Sequence, residues 1–171
     1  MRELTADEIR SGFVNLDPDD AARIPLPGLH EVLWSEREFL GWQDPSLAGR
    51  GYIAFEGLDG ADGSLGAICL VVRRAEAGLA RAVTAMCSLC HSTQPLSQVS
   101  LFSAARAGQR GRDGSTVGTY ICDDLGCSHK IRMLPSTSPF AAEPGDLLVQ
   151  RSAGLLTRLR GFAAAVASTA H

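Results

Sequence analysis

Apolar residues along the chain follow two periods, and the change between them divides it. In the first forty residues the spacing is helical and the starts are marked. Thr5 and Glu8 stand at capping-box spacing, with Leu4 and Ile9 at the positions of a hydrophobic staple. Ile9 and Phe13 then share a face. Asp17-Pro18 is a second start, and that short helix ends before Pro25 and Pro27. Ser35 and Glu38 repeat the capping box, with Trp34 and Phe39 at staple positions. This predicts a third helical turn stopped by Gly41.

From residue 52 the period shortens. Tyr52 to Phe55 and Leu65 to Val72 read as strands joined by a turn over residues 57–63. Ala82 to Ala85 leads in as another strand. Val99 to Phe102 and Thr116 to Ile121 make a hairpin whose loop, Ala105 to Ser115, is rich in Gly and Arg. A helix is predicted from Asp123 or Asp124, where a carboxylate suits the N-terminal dipole. Residues 135–145 hold three prolines and read as a linker. Asp146 then caps a final helix, to about residue 167, with Leu148, Leu155, Leu159, Phe162 and Val166 on one face. The fold class is α+β: a small, mostly antiparallel sheet with flanking helices, read as one unit over residues 1–171.

Composition changes this picture little. Apolar residues at 45 % supply a core, and charged residues at 20 % are too few for a disordered chain. No apolar run is long enough to cross a membrane. The start of the chain is polar and unlike a secretory signal, so the cytoplasm is the expected compartment. Charge is uneven. Residues 1–86 hold 8 Arg against 14 Asp and Glu, net −6. Residues 87–134 hold five cations against three acids, net +2. A mildly basic segment on an acidic body suits an acidic partner or a few phosphates. It is sparse for autonomous nucleic-acid binding.

The chemistry lies in the cysteines. Cys87 and Cys90 are three positions apart, Cys122 and Cys127 five, and the stretch between the pairs fits a β-hairpin. A cytoplasmic protein uses such pairs as metal ligands more often than as disulfides. Four thiolates at about 2.3 Å complete a tetrahedral Zn2+ site. Knuckle, hairpin and helix in that order make a treble-clef zinc finger over residues 84–134. Cys69, inside the run Ile68 to Val72, reads as a packed core thiol. His91 and His129 adjoin the pairs but are not needed as ligands. Trp34, Phe39 and Trp42 read as core. The run from Arg106 to Arg112 reads equally as a solvated tip or as a contact for phosphate or an acidic partner. Phosphate-loop and nucleophile-elbow motifs are missing, and a four-thiolate zinc has no open position for substrate. A non-enzymatic binding protein is therefore expected.

These residues also carry a resemblance. Met86-Cys87-Ser88-Leu89-Cys90, Val99 to Phe102, and Val117 to Ser128 resemble the treble-clef domain of elongation-factor-G-binding proteins, the relatives of fusidic-acid-resistance proteins. Phe39 to Pro45 and Ile9 to Asn15 support it, so the likeness runs over about residues 3–165. It implies a zinc held by Cys87, Cys90, Cys122 and Cys127. It also implies binding to elongation factor G or the translating ribosome, and promotion of factor release. Arg110, Arg112, Lys130 and Arg132 are the expected partner contacts, forming one basic surface beside the metal. Two alternatives stand beside it: a finger that binds ribosomal RNA, and an enzyme whose site the sequence hides.

Overall fold

The computed structural model describes residues 1–57, 66–75, 83–133 and 144–168. Its main sheet is five-stranded and antiparallel, in the order β1 (Leu40–Gln43), β2 (Arg50–Glu56), β3 (Ala67–Arg74), β6 (Val99–Ala105), β7 (Thr116–Cys122). A short ribbon of β4 (Thr84–Met86) and β5 (Thr93–Pro95) stands apart from it. The helices are α1 (Ala6–Ser11), α2 (Pro18–Ala21), α3 (Gly108–Arg112), α4 (Cys127–Met133) and α5 (Pro144–Ala167). The predicted α+β class is the one observed.

The unbroken apolar runs of β2 and β3 have a direct cause: both faces of these strands are covered. Alternate residues point to opposite faces. Ile53, Phe55, Leu70 and Val72 enter a core that also holds four cysteines and α5. Tyr52, Ala54, Cys69 and Val71 enter a second core with Leu4, Ile9, Ile24 and Trp42. The molecule is thus layered as N-terminal segment, sheet, and cysteine-bearing segment with α5.

The N-terminal layer is fastened as its sequence predicts. Thr5 Oγ1 accepts from the Glu8 backbone N–H at 3.2 Å, and Glu8 Oε2 accepts from that of Thr5 at 2.8 Å. Residues 12–15 then run along the edge of β3. Cys69 N donates to Gly12 O, and Val14 N to Cys69 O. The Asn15 side-chain amide bonds both the N–H and the C=O of Val71, and also donates to Ala105 O at 3.1 Å. β6 joins β3 only at Arg73 and Arg74, so Asn15 fills the gap where these strands diverge.

Four expectations need correction. The predicted turn from Ser35 is only a 3-10 turn, Trp34–Glu36, followed by β1. A staple requires both apolar residues on one side, but Trp34 packs in the N-terminal core and Phe39 in the other. Gly41 is a strand residue paired with Ile53, not a helix stop. It and Gly51 are glycines because Leu125 rests on them: a Cβ on Gly41 would lie 2.6 Å from Leu125 O, and one on Gly51 2.7 Å from Leu125 Cδ1. Finally, α5 starts at Pro144, which puts Asp146 in its first turn rather than at its cap. Its predicted apolar face holds: Leu155, Leu159, Phe162 and Val166 are buried, and Leu148 packs beside them. Apart from Gly57, the turn over 57–63 lies outside the described residues, as do Leu65, Ala82 and residues 135–143 of the linker. No helix among the described residues is long and apolar enough to cross a membrane.

Candidate metal centre

The first cysteine pair sits on a tight knuckle after β4. His91 N donates to Cys87 O at 2.9 Å, and His91 itself takes a left-handed conformation, φ 57°. This folds the chain so that the N–H groups of Leu89 and Cys90 point at Cys87 Sγ, at 3.4 and 3.5 Å. Arg158 of α5 holds the knuckle from behind, donating through Nε to Leu89 O at 2.7 Å.

The second pair is built differently from expectation. Cys122 is the last residue of β7, and Cys127 opens α4. No helix starts at Asp123 or Asp124, because both carboxylates are engaged elsewhere. Asp124 Oδ1 accepts from Gly126 N at 2.9 Å. Asp123 Oδ1 accepts from Ser100 Oγ at 2.6 Å and from Arg74 at 2.8 Å. Burial opposes the charge on Asp123, but those two bonds hold its carboxyl below the usual carboxylate range. Leu125, at φ 54°, completes the turn and drops its side chain onto Gly41 and Gly51. The sheet thus seats the loop that carries the second pair.

The four Sγ atoms of Cys87, Cys90, Cys122 and Cys127 are all buried and lie within 4.8 Å of one another. Cys87 and Cys127 are 3.6 Å apart, Cys90 and Cys122 3.5 Å. Sulfurs on a tetrahedral zinc at about 2.3 Å are separated by about 3.8 Å, so the cluster fits that ion. These gaps also exceed a disulfide bond, about 2 Å. Electrostatics point the same way. Hydrogen bonding from Cys122, then from Cys127 and Cys87, pushes the Cys90 thiol down. Cys127 is pushed up, first by Cys122 and then by Cys87 and Cys90. Cys87 is pushed down as well, first by Cys122, so part of the cluster ionises readily, while four thiolates together need a cation.

Two residues that the sequence left unremarked complete the shell. Ser92 and Gln94 are both buried. Gln94 Nε2 lies 3.2 Å from Cys122 Sγ and 2.5 Å from Ser92 Oγ, and Ser92 Oγ is 3.0 Å from Cys90 Sγ. The amide spends one N–H on Cys122 and the other on the serine oxygen. A metal-bound thiolate has no proton to give, so with Cys90 in that state the serine hydroxyl is the donor to it, and both sulfurs are acceptors. The sequence carries no signal for them: His91 to Gln94 is polar throughout, and nothing in it marks Ser92 and Gln94 as the buried pair.

The remaining candidates fall outside the cluster. His91 and His129 are exposed. Cys69 belongs to the opposite core, where burial pushes its thiol up to about 12. The four proposed partner contacts do not share a surface. Val99 pairs with Cys122 at the metal end of the hairpin and Ala105 with Thr116 at the far end. At ~3.4 Å per residue, that sets α3, with Arg110 and Arg112, about 20 Å from the cysteines. Lys130 stays at the metal end, 3.8 Å from Asp124. Arg132 turns inward. It holds Glu38 through two bonds of 2.8 and 3.0 Å, and Ser152 of α5 donates to the same carboxylate at 2.8 Å.

Comparison with known proteins agrees with this geometry. No curated protein matches the chain. The model of one family, the FBP C-terminal treble-clef zinc-finger, matches residues 8–166. That span takes in every cysteine of the cluster and, Leu4 apart, the buried residues of both cores, and the chain therefore belongs to the FBP C-terminal treble-clef zinc-finger family.

Proposed function

We propose that Cys87, Cys90, Cys122 and Cys127 ligate one zinc, and that the finger so closed is a non-enzymatic docking module for elongation factor G, acting in its release from the ribosome. The carrying observation is the buried four-sulfur cluster inside a chain whose family is described by that finger. Zinc supplies cross-linking here: it fixes knuckle, β7 and α4 to one point. Four thiolates leave no coordination position for substrate, which argues for binding over catalysis.

The hairpin offers a suitable face. Leu101 and Tyr120 lie opposite each other and are exposed by 38 and 50 %. Tyr120 O accepts from Ser88 N at 2.8 Å, which ties this apolar pair to the knuckle. Apolar contacts at the centre of an interface set its lifetime, and charges at the rim set the approach rate. Tyr120 with Leu101 takes the first role. Arg110 and Arg112 at the tip, and Lys130 at the metal end, take the second.

Surface plasmon resonance with purified elongation factor G tests the reading. Tyr120→Ala should speed dissociation about tenfold or more. Reversing Arg110 and Arg112 to Glu should slow association and weaken its salt dependence. No binding by the zinc-loaded wild type at tens of micromolar refutes the partner. Retention of ribosomal RNA with a steep salt dependence would replace it with a nucleic acid.

A further inference from the structure

On the N-terminal side of the sheet a cleft of about 420 Å³ opens between α2 and the loop from β1 to β2. Its volume is that of a small-molecule site. Ile24, Pro25 and Leu47 give it apolar walls, and Tyr52, Arg23 and Arg50 give it polar ones.

Arg50, which lines this cleft, is in an unusual arrangement. Arg50 of β2 is directly opposite Arg73 of β3. The backbone groups of Arg50 turn away from β3: its N–H donates to Leu47 O, and its C=O accepts from Asp44 N. Arg74 N bonds Gly49 O instead. The two arginines therefore form the narrow, non-hydrogen-bonded kind of antiparallel pair, in which side chains are closest. Like charges directly opposite are destabilising.

No ion pair among the described residues holds them, and the Asp44 carboxylate acts on Arg50 only from beyond ion-pair distance. Neither arginine has a carboxylate within ion-pair distance. Asp44, the nearest acid lining the cleft, is already committed. Its Oδ2 accepts from the Tyr52 hydroxyl at 2.5 Å, and its Oδ1 accepts from the N–H groups of Ser46 and Leu47 at 2.9 and 3.0 Å. Asp20 is held by Arg23 at 3.1 Å. Arg50 Nε is buried with no hydrogen-bond partner, and its guanidinium is 5.9 Å from the centre of the Tyr52 ring. Arg50 thus lines a partly apolar cleft with Arg73 opposite it on the neighbouring strand, and neither is held in an ion pair among the described residues, in a half of the molecule that is otherwise acidic.

We propose that this cleft is a binding site for a small amphipathic oxyanion, a carboxylate or a phosphate ester. Arg50 and Arg73 would take the anionic head, and Leu47, Ile24 and Pro25 the apolar body. The site is on the sheet face away from the cysteines, so it stands or falls independently of the zinc reading.

The test uses the zinc-loaded protein with ¹⁵N-labelled arginine and follows the Nε–Hε resonances by NMR. Phenyl phosphate and benzoate are the probes, and inorganic phosphate and acetate are the head groups alone. Saturable shifts at Arg50 and Arg73 are expected, at roughly tenfold lower concentration for the better phenyl probe than for its bare head group. Whichever probe saturates names the head group. Arg73→Gln, at an exposed position, should weaken binding about tenfold while leaving the fold intact. Leu47→Ala should weaken the phenyl probe and leave the bare anion unchanged. Shifts that rise without saturating, or that are the same in Arg73→Gln, mean ionic screening only and overturn the proposal.

Discussion

At the scale of single residues, the amide of Gln94 and the hydroxyl of Ser92 decide how well the cysteine cluster tolerates charge. Both donate towards sulfur. Gln94→Leu removes a donor and should lower zinc retention by about tenfold, in line with other outer-shell partners of metal ligands. Gln94→Glu puts a negative acceptor against the Cys122 thiolate and should cost more than the leucine. Competition with a chromophoric chelator measures both; a glutamate variant that retains zinc as well as wild type would contradict the assignment of donors. Glu8 carries a second prediction. Its carboxyl is held at about 2, first by the hydrogen bond from Arg2 and then by those from Thr5. A depressed carboxylate stabilises the fold above its unfolded value, about 4.3, and that contribution disappears as the pH falls towards 2. Glu8→Gln should therefore be less stable than wild type at pH 7 and equal to it near pH 2. The gap at pH 7 should be small, because the pair is a third exposed. Chemical denaturation at the two pH values measures it.

Between elements, the ion pair of Glu38 with Arg132 is the main polar joint. It links the start of β1 to α4, and Ser152 brings in α5. Burial opposes the charge on Glu38, but the Arg132 bonds, then that of Ser152, keep its carboxyl below the ordinary value. Arg132→Met leaves that carboxylate buried and unpaired and should destabilise by about 3 kcal/mol. Glu38→Leu with Arg132→Met should be milder than Arg132→Met alone, and denaturant titration of the two variants measures the difference. The same joint explains what the sequence concealed. The capping box at Thr5, the hairpin and the apolar face of α5 were legible because each rests on neighbours in sequence. Glu38 has a capping-box spacing too, but its side-chain partners are 94 and 114 residues away. Local pattern therefore misplaced it as a helix start. The seat of Leu125 on Gly41 and Gly51 was hidden for the same reason, and Gly41 read as a stop. The cysteine pairs were legible because metal chemistry fixes their spacing. The distance of α3 from them was not, because it depends on the length of the paired hairpin.

At the scale of the whole molecule, the two cores predict an asymmetric response to metal loss. All four cluster cysteines belong to the core that contains α5, while the other core is built from Leu4, Ile9, Trp42, Tyr52 and their neighbours. Removing zinc leaves four close sulfurs that nothing ties together, and the binding free energy of a structural zinc is folding free energy for the segment it ties. The knuckle, β7 and α4 should lose protection first. Next should come α5, which reaches the knuckle through Arg158 and packs Leu155 and Leu159 into the same core. The N-terminal layer has its own fastenings in the capping box and in the bonds of residues 12–15 to β3, so it should retain most of its protection. Hydrogen exchange with and without a zinc chelator reads this directly. Faster exchange over residues 84–133 and 148–166, against near-native exchange over 4–16 and 50–56, is the expected result. Uniform acceleration would mean that the two cores unfold as one, and unchanged α5 would mean that the metal supports only its immediate loops. The contrast has a functional edge: Leu101 and Tyr120 are carried by the two strands of the hairpin that ends in Cys122, so chelation should abolish docking at that face before the N-terminal half of the protein unfolds.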